Sequence, residues 1–125
     1  MIRQVRITAT VATGETTADA TSEFFHGKIL KIVTDVTGDS MDINLDTVGE
    51  QKSQALLDYT GNTDTNFYPR VALTDNTGTA IDLSTSGEGG DNAMYGPYVV
   101  FGKVKLSLAS AAAAETVTVE ITYEE

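Results

Sequence analysis

The stretch "PYVVFGKVKLSLASAAAAETVTVEITY", Pro97 to Tyr123, decides the fold class. In its first half Tyr98, Val100, Val104, Leu106 and Leu108 share one face, and in its second half Val117, Val119, Ile121 and Tyr123 do the same. Apolar residues recurring at every second position are the mark of half-buried strands, because successive side chains of a strand point to opposite faces. The "SAAAA" between them reads as a loop or loose turn, since a few alanines do not overcome the cost of nucleating a helix.

The same period runs outward toward the N-terminus. In "QVRITATVA" Val5, Ile7, Ala9 and Val11 alternate with Arg6, Thr8 and Thr10, which predicts another half-buried strand. "GKILKIVTDV" is more apolar, with Leu30, Ile32 and Val36 on one face and Ile29 and Val33 on the other, and predicts a central strand covered on both sides. "TGDS" supplies turn residues, and Met41, Ile43 and Leu45 alternating with Asp42 and Asn44 read as the return arm of a hairpin. A short strand is expected through Ala55 to Tyr59. "FYPRVAL" is expected to be an edge strand, because Pro69 has no amide hydrogen to give a ladder. "TDNTGTA" reverses the chain, with Asp75 and Asn76 suited to local side-chain turns and Gly78 to positive φ. "STSGEGGDN" reads as a long flexible loop. About seven strands and no amphipathic helix predict one all-β domain over residues 1–125. The architecture expected is a β-sandwich, immunoglobulin-like or jelly-roll-like, with strand order open.

At 125 residues such a domain buries roughly two thirds of the surface its unfolded chain exposes. It contains no cysteine, so it has neither disulfides nor thiolate metal ligands. Eighteen acidic against eight basic residues give a net charge of −10. That charge repels a phosphate backbone and removes the counterion release that drives nucleic-acid binding. The opening "MIRQVRITAT" lacks the apolar run of a signal peptide or membrane span, and synthesis in the cytoplasm without membrane association is expected. Arg6, Lys28, Lys31, Lys103 and Lys105 fall in strand-like stretches, whereas many acids sit in turn-like ones, and the cations are expected as polar positions on solvated sheet faces rather than as a basic patch.

No residue pattern points to catalysis. His26, the one histidine, follows Phe24 and Phe25 at the start of a strand, no serine stands in a G-x-S-x-G context, and the glycines of "SGEGGDN" precede neither G-K-[ST] nor a helix. Asp39, Asp42 and Asp46, Asp58 and Asp64, and Asp75 and Asp82 invite comparison with calcium loops, but none has EF-hand spacing. They are expected to be solvated turn residues. The chain is therefore expected to be no enzyme and to hold no cofactor or metal. The aromatics Phe67, Tyr68, Tyr95 and Tyr98 gather near Pro69 and Pro97 with Arg70 beside them. This composition suits packing under the long loop, a protein contact, or a sugar-stacking face.

The segments "ITATVATGETTADATSEF", "GKILKIVTDV", "FYPRVALTDNTGTAI" and "YGPYVVFGKVKLSLASAAAAETVTVEITYEE" together resemble a group of small all-β virion proteins of tailed bacteriophages. In these a Thr- and Ala-rich strand leads to a long strand, an aromatic-Pro-Arg segment with a turn, and two final strands. The resemblance spans most of the chain and transfers no catalytic residue. It implies a phage virion structural protein. Acidic charge favours the capsid exterior over a DNA-facing position, and hence a capsid decoration, or cement, protein that binds the major capsid protein and stabilises the shell. A homo-oligomer is expected, with a trimer at a capsid threefold as one arrangement. The contact segments expected are the termini, Phe67, Tyr68, Pro69 and Arg70, and the stretch from Gly87 through Tyr95 toward Tyr98. A head-fibre, adhesin or carbohydrate-binding module on the same sandwich is the alternative, and would be favoured by Tyr95 and Tyr98 exposed beside a groove and by glycan-dependent binding.

Overall fold

The computed structural model describes residues 1–81 and 94–125. These residues form strands β1 (Ile2–Thr10), β2 (Ala18–Thr21), β3 (Phe25–Thr37), β4 (Met41–Val48), β5 (Ala55–Gly61), β6 (Thr65–Phe67), β7 (Val71–Ala72), β8 (Tyr95–Gly96), β9 (Val99–Ala109) and β10 (Thr116–Glu124). Among the described residues there is no helix. Six of the strands are long, and the count exceeds seven because four short ones of two to four residues join them. The flexible loop expected at 84–92 lies outside the described residues, as does Asp82.

The order β1-β10-β3-β9-β4-β5 makes one folded sheet, with β2 also on β9 and β6 also on β3; β7 and β8 form a separate two-stranded ribbon. The sheet folds into two layers. β1, β10, β3 and β6 make one, and β2, β9, β4 and β5 make the other. They join where Phe25–Lys28 of β3 pairs with Val99–Gly102 of β9. The chain turns this corner at Ser22, whose amide donates to the Val104 carbonyl at 2.8 Å and whose hydroxyl accepts the Val104 amide at 2.9 Å.

The core between the layers is built from the alternating residues. Val5, Ile7, Ala9 and Val11 of the first strand region, Val100, Val104, Leu106 and Leu108 of β9, and Val117, Val119, Ile121 and Tyr123 of β10 are all buried. Their burial removes apolar surface from water and is the principal force holding the two layers together. On the outer faces Arg6 pairs with Glu120 at 2.8 Å, Lys28 with Glu124 at 3.3 Å and Lys105 with Asp19 at 3.4 Å. Arg6, Lys28 and Lys105 thus lie on outer faces beside acids of the neighbouring strand, whereas Lys31 and Lys103 make no ion pair among the described residues.

Three local expectations are corrected. Met41–Val48 does not return as a hairpin arm on β3; β4 pairs with β5 and β9, so the chain crosses from one layer to the other at Gly38–Ser40. A turn sequence specifies reversal but not the sheet the return strand joins, and β3 already carries β10 on one edge and β6 and β9 on the other. Ile29 and Ile32, assigned to opposite faces, are both fully buried, because β3 bulges against β10: Thr122 pairs with Lys31 and Tyr123 with Ile29, leaving Leu30 as the extra residue. A bulge shifts the alternation by one and so brings both isoleucines inward. "FYPRVAL" is not one strand. β6 ends at Phe67, Tyr68 to Arg70 are outside any strand, and β7 begins at Val71, consistent with the fixed φ and missing donor of Pro69. Only β6 joins β3; β7 joins β8.

Candidate functional site

The interaction surface expected from the sequence rests on β6, β7, β8 and the turns between them. Phe67, at the end of β6, is half-buried, packs against the core and holds its ring 5.1 Å from Tyr59 of β5. Tyr68 projects into solvent and is 61% exposed. Pro69 is half-buried, and its carbonyl accepts a 2.8 Å hydrogen bond from the exposed Arg70 guanidinium. Val71 pairs with Gly96 and Ala72 with Tyr95. This ribbon brings the aromatic-Pro-Arg segment beside the segment of Tyr95, which is 56% exposed. Tyr98 belongs elsewhere: it packs partly buried against the core, and its carbonyl accepts the Ile29 amide at 2.9 Å.

Three of the acids considered for calcium, Asp75, Asp64 and Asp42, accept hydrogen bonds from the chain itself. Asp75 Oδ1 accepts from the amides of Thr77 and Thr79 at 2.8 and 3.0 Å, and from the Thr77 hydroxyl at 2.6 Å. These donors, the Thr77 hydroxyl foremost, hold the Asp75 carboxyl below the ordinary aspartate value. Gly78 in the same turn takes φ +87°. Asp64 accepts the Val36 amide at 2.9 Å, and Asp42 accepts the Thr60 hydroxyl at 2.8 Å. Among the described residues no three His, Cys, Asp or Glu side chains converge as metal ligands would. His26 is exposed, with its ring 6.1 Å from that of Phe101. On the outer face of the first layer Arg6, Val33, Asp35, Thr118 and Glu120 line an open groove. Val33 thus faces outward beside solvent-exposed polar side chains, where a covering layer had been expected.

Two features were missed in the sequence. The first is Glu115, which reads as an ordinary acid before a strand but is only 8% exposed and bonds two loops through both carboxylate oxygens. Nothing local signals it, since one of its partners, Asp39, is 76 residues away. The second is an exposed apolar corner formed by Phe24, Val48, Val99 and Phe101. The signal for it was present: "FF" at 24–25 and "VVF" at 99–101 break the alternation by putting apolar residues on both faces of a strand.

Comparison of the chain with family models, with curated protein sequences and with solved structures gives no match.

Proposed function

We propose that the chain is a virion structural protein of a tailed phage, a capsid decoration protein that binds the major capsid protein on the outside of the shell and stabilises it. The observation that carries this reading is the surface of the β7–β8 ribbon: Tyr68, Arg70 and Tyr95 stand exposed on a segment pinned by backbone pairing to a packed sandwich. Tyrosine and arginine are the side chains enriched at protein contacts, because they join a large apolar body to a hydrogen-bonding tip. The net charge of −10 favours a position away from packaged DNA. A protein that binds only the assembled shell shifts the equilibrium against disassembly, and repetition over many sites multiplies small contacts. The sugar-binding alternative would be favoured by Tyr95 and Tyr98 exposed together, and Tyr98 packs partly buried against the core.

The test is quantitative peptide mass spectrometry of gradient-purified particles from the producing lysate. A copy number comparable to the shell protein, or one per few shell subunits, supports decoration. A handful of copies per particle assigns the chain to neck, tail or fibre, and absence from particles overturns the virion reading.

A further inference from the structure

Four large apolar side chains stand in solvent on one corner of the sandwich: Phe24 is 54% exposed, Val48 40%, Val99 58% and Phe101 69%. The rings of Phe24 and Phe101 meet edge to face at 5.1 Å. Val99 and Phe101 are consecutive outward residues of β9, and Val48 pairs with Lys103, the next one along. Together they offer on the order of 400 Å² of apolar surface, within the range where the largest patch of a monomer is commonly a contact site.

We propose that this corner is where two copies of the chain pair face to face, about a twofold axis running along β9 through Phe101. The argument lies in what flanks β9. On the β3 side, Phe24 precedes Phe25, the partner of Gly102; His26 pairs with Phe101 and Lys28 with Val99. Phe24 is therefore level with Lys103, and Lys28 with Val99. On the other side Val48 is level with Lys103. Beyond it, Glu50 accepts the Phe101 amide at 3.3 Å and Gln54 donates to the Val99 carbonyl at 3.0 Å.

A twofold axis along β9 exchanges the two flanks and keeps the levels. Phe24 of each copy then meets Val48 of the other, Lys28 meets the Glu50–Gln54 segment, and Phe101 and Val99 meet their own counterparts. Apolar faces apolar, and Lys28, which also holds Glu124 of its own chain at 3.3 Å, faces the Glu50 carboxylate of the other copy on both sides at once, as an isologous interface requires. An axis across β9 would instead set Lys28 on Phe24, Gln54 on Val48 and Glu50 on its own counterpart, so the charges select the first arrangement. Lys103 falls near the axis. It makes no ion pair among the described residues, and its long stem lets the ammonium turn to the rim. A stable interface takes about 800 Å² per partner, of which this patch supplies the apolar centre, so a reversible dimer dissociating at roughly micromolar concentration is expected.

The proposal concerns the purified chain alone and stands whether or not the chain binds a capsid. Sedimentation equilibrium from about 1 μM to about 1 mM is expected to follow a monomer–dimer model. Phe101→Asp is expected to weaken the dimer at least about tenfold, and Tyr95→Asp to leave it unchanged. Because the chain has no cysteine, single substitutions read the geometry directly. Oxidised Lys103→Cys is expected to give a disulfide-linked dimer, and Tyr95→Cys to remain monomeric on denaturing gels. The Lys103→Cys variant keeps the apolar patch whole and decides the matter even if Phe101→Asp fails to fold. A wild-type chain that stays monomeric throughout, a trimer by mass, a dimer indifferent to Phe101→Asp, or cross-linking at 95 in place of 103 would each overturn the proposal.

Discussion

Glu115 reaches across the end of the sandwich to Asp39: its Oε1 accepts the Asp39 amide at 3.0 Å, while Oε2 accepts the amide of Ala112 at 3.0 Å. One carboxylate thereby fastens the crossing between β3 and β4 to the loop between β9 and β10. Gly38 at that crossing has φ +130°, and a methyl group there would lie 2.5 Å from the Glu115 Cγ. The crossing and its anchor leave no room for a side chain.

This pair makes stability depend on acid. The Ala112 amide first, and the Asp39 amide second, hold the Glu115 carboxyl below its ordinary value of 4.5. A group whose pKa is depressed by folding contributes stability that is complete above its unfolded pKa and lost as the pH falls through the folded one. Thermal melts of wild type and Glu115→Gln should therefore differ most near neutrality and converge as the pH drops below 4.5. A gap that is the same at every pH would show that the carboxylate charge is not the source.

Gly27 tests how closely β10 approaches β3. Its φ is +150°, and a methyl group would collide with the Glu124 carbonyl oxygen and lie 2.9 Å from the Tyr123 ring. Backbone cannot yield as a flexible side chain can. Gly27→Ala should cost about 3 kcal/mol or more, against about 1 kcal/mol for Gly78→Ala, where the strain of a left-handed residue acts alone. Urea denaturation of both variants measures the difference, and equal costs would refute the close approach.

Two neighbours on β10 should respond in opposite directions. Ile121 is fully buried and pairs with Val5 on one side and Ile32 on the other, so Ile121→Ala should destabilise by about 2–5 kcal/mol. Thr122 lies at the bulge, and its buried hydroxyl has no hydrogen-bond partner among the described residues. Thr122→Val replaces that hydroxyl with a methyl of like size and should stabilise by about 1 kcal/mol. Chemical denaturation midpoints decide both.

The ribbon surface can be altered without touching the core. Tyr68 is exposed, and among the described residues Arg70 bonds only the adjacent Pro69 carbonyl, so Tyr68→Ala and Arg70→Glu should change stability by less than about 0.5 kcal/mol. On the reading proposed for the chain, each should lower its occupancy on particles at least about tenfold. Co-sedimentation with stripped particles, run beside thermal melts, is the measurement. Undiminished occupancy would move the contact elsewhere on the surface.

The six long strands were legible in the sequence because a period of two is a local property, whereas β2 and the short strands around Pro69 were not. Val5 to Val11, Met41 to Leu45, Val100 to Leu108 and Val117 to Tyr123 needed no knowledge of their neighbours to be placed inward, and the Asp75 turn followed from its own side chains. Long-range pairing was not legible. Whether β4 joins β3 or crosses to β9, where β3 bulges to bury Ile29 and Ile32 together, and which loops Glu115 ties are set by contacts between segments far apart in the chain. The candidate surface divided in the same way. Composition marked Tyr68, Arg70 and Tyr95, but tertiary packing drew Phe67 onto Tyr59 and Tyr98 onto the core. It also left Phe24 and Phe101 outside, because a strand has two faces and this sandwich covers only one of them.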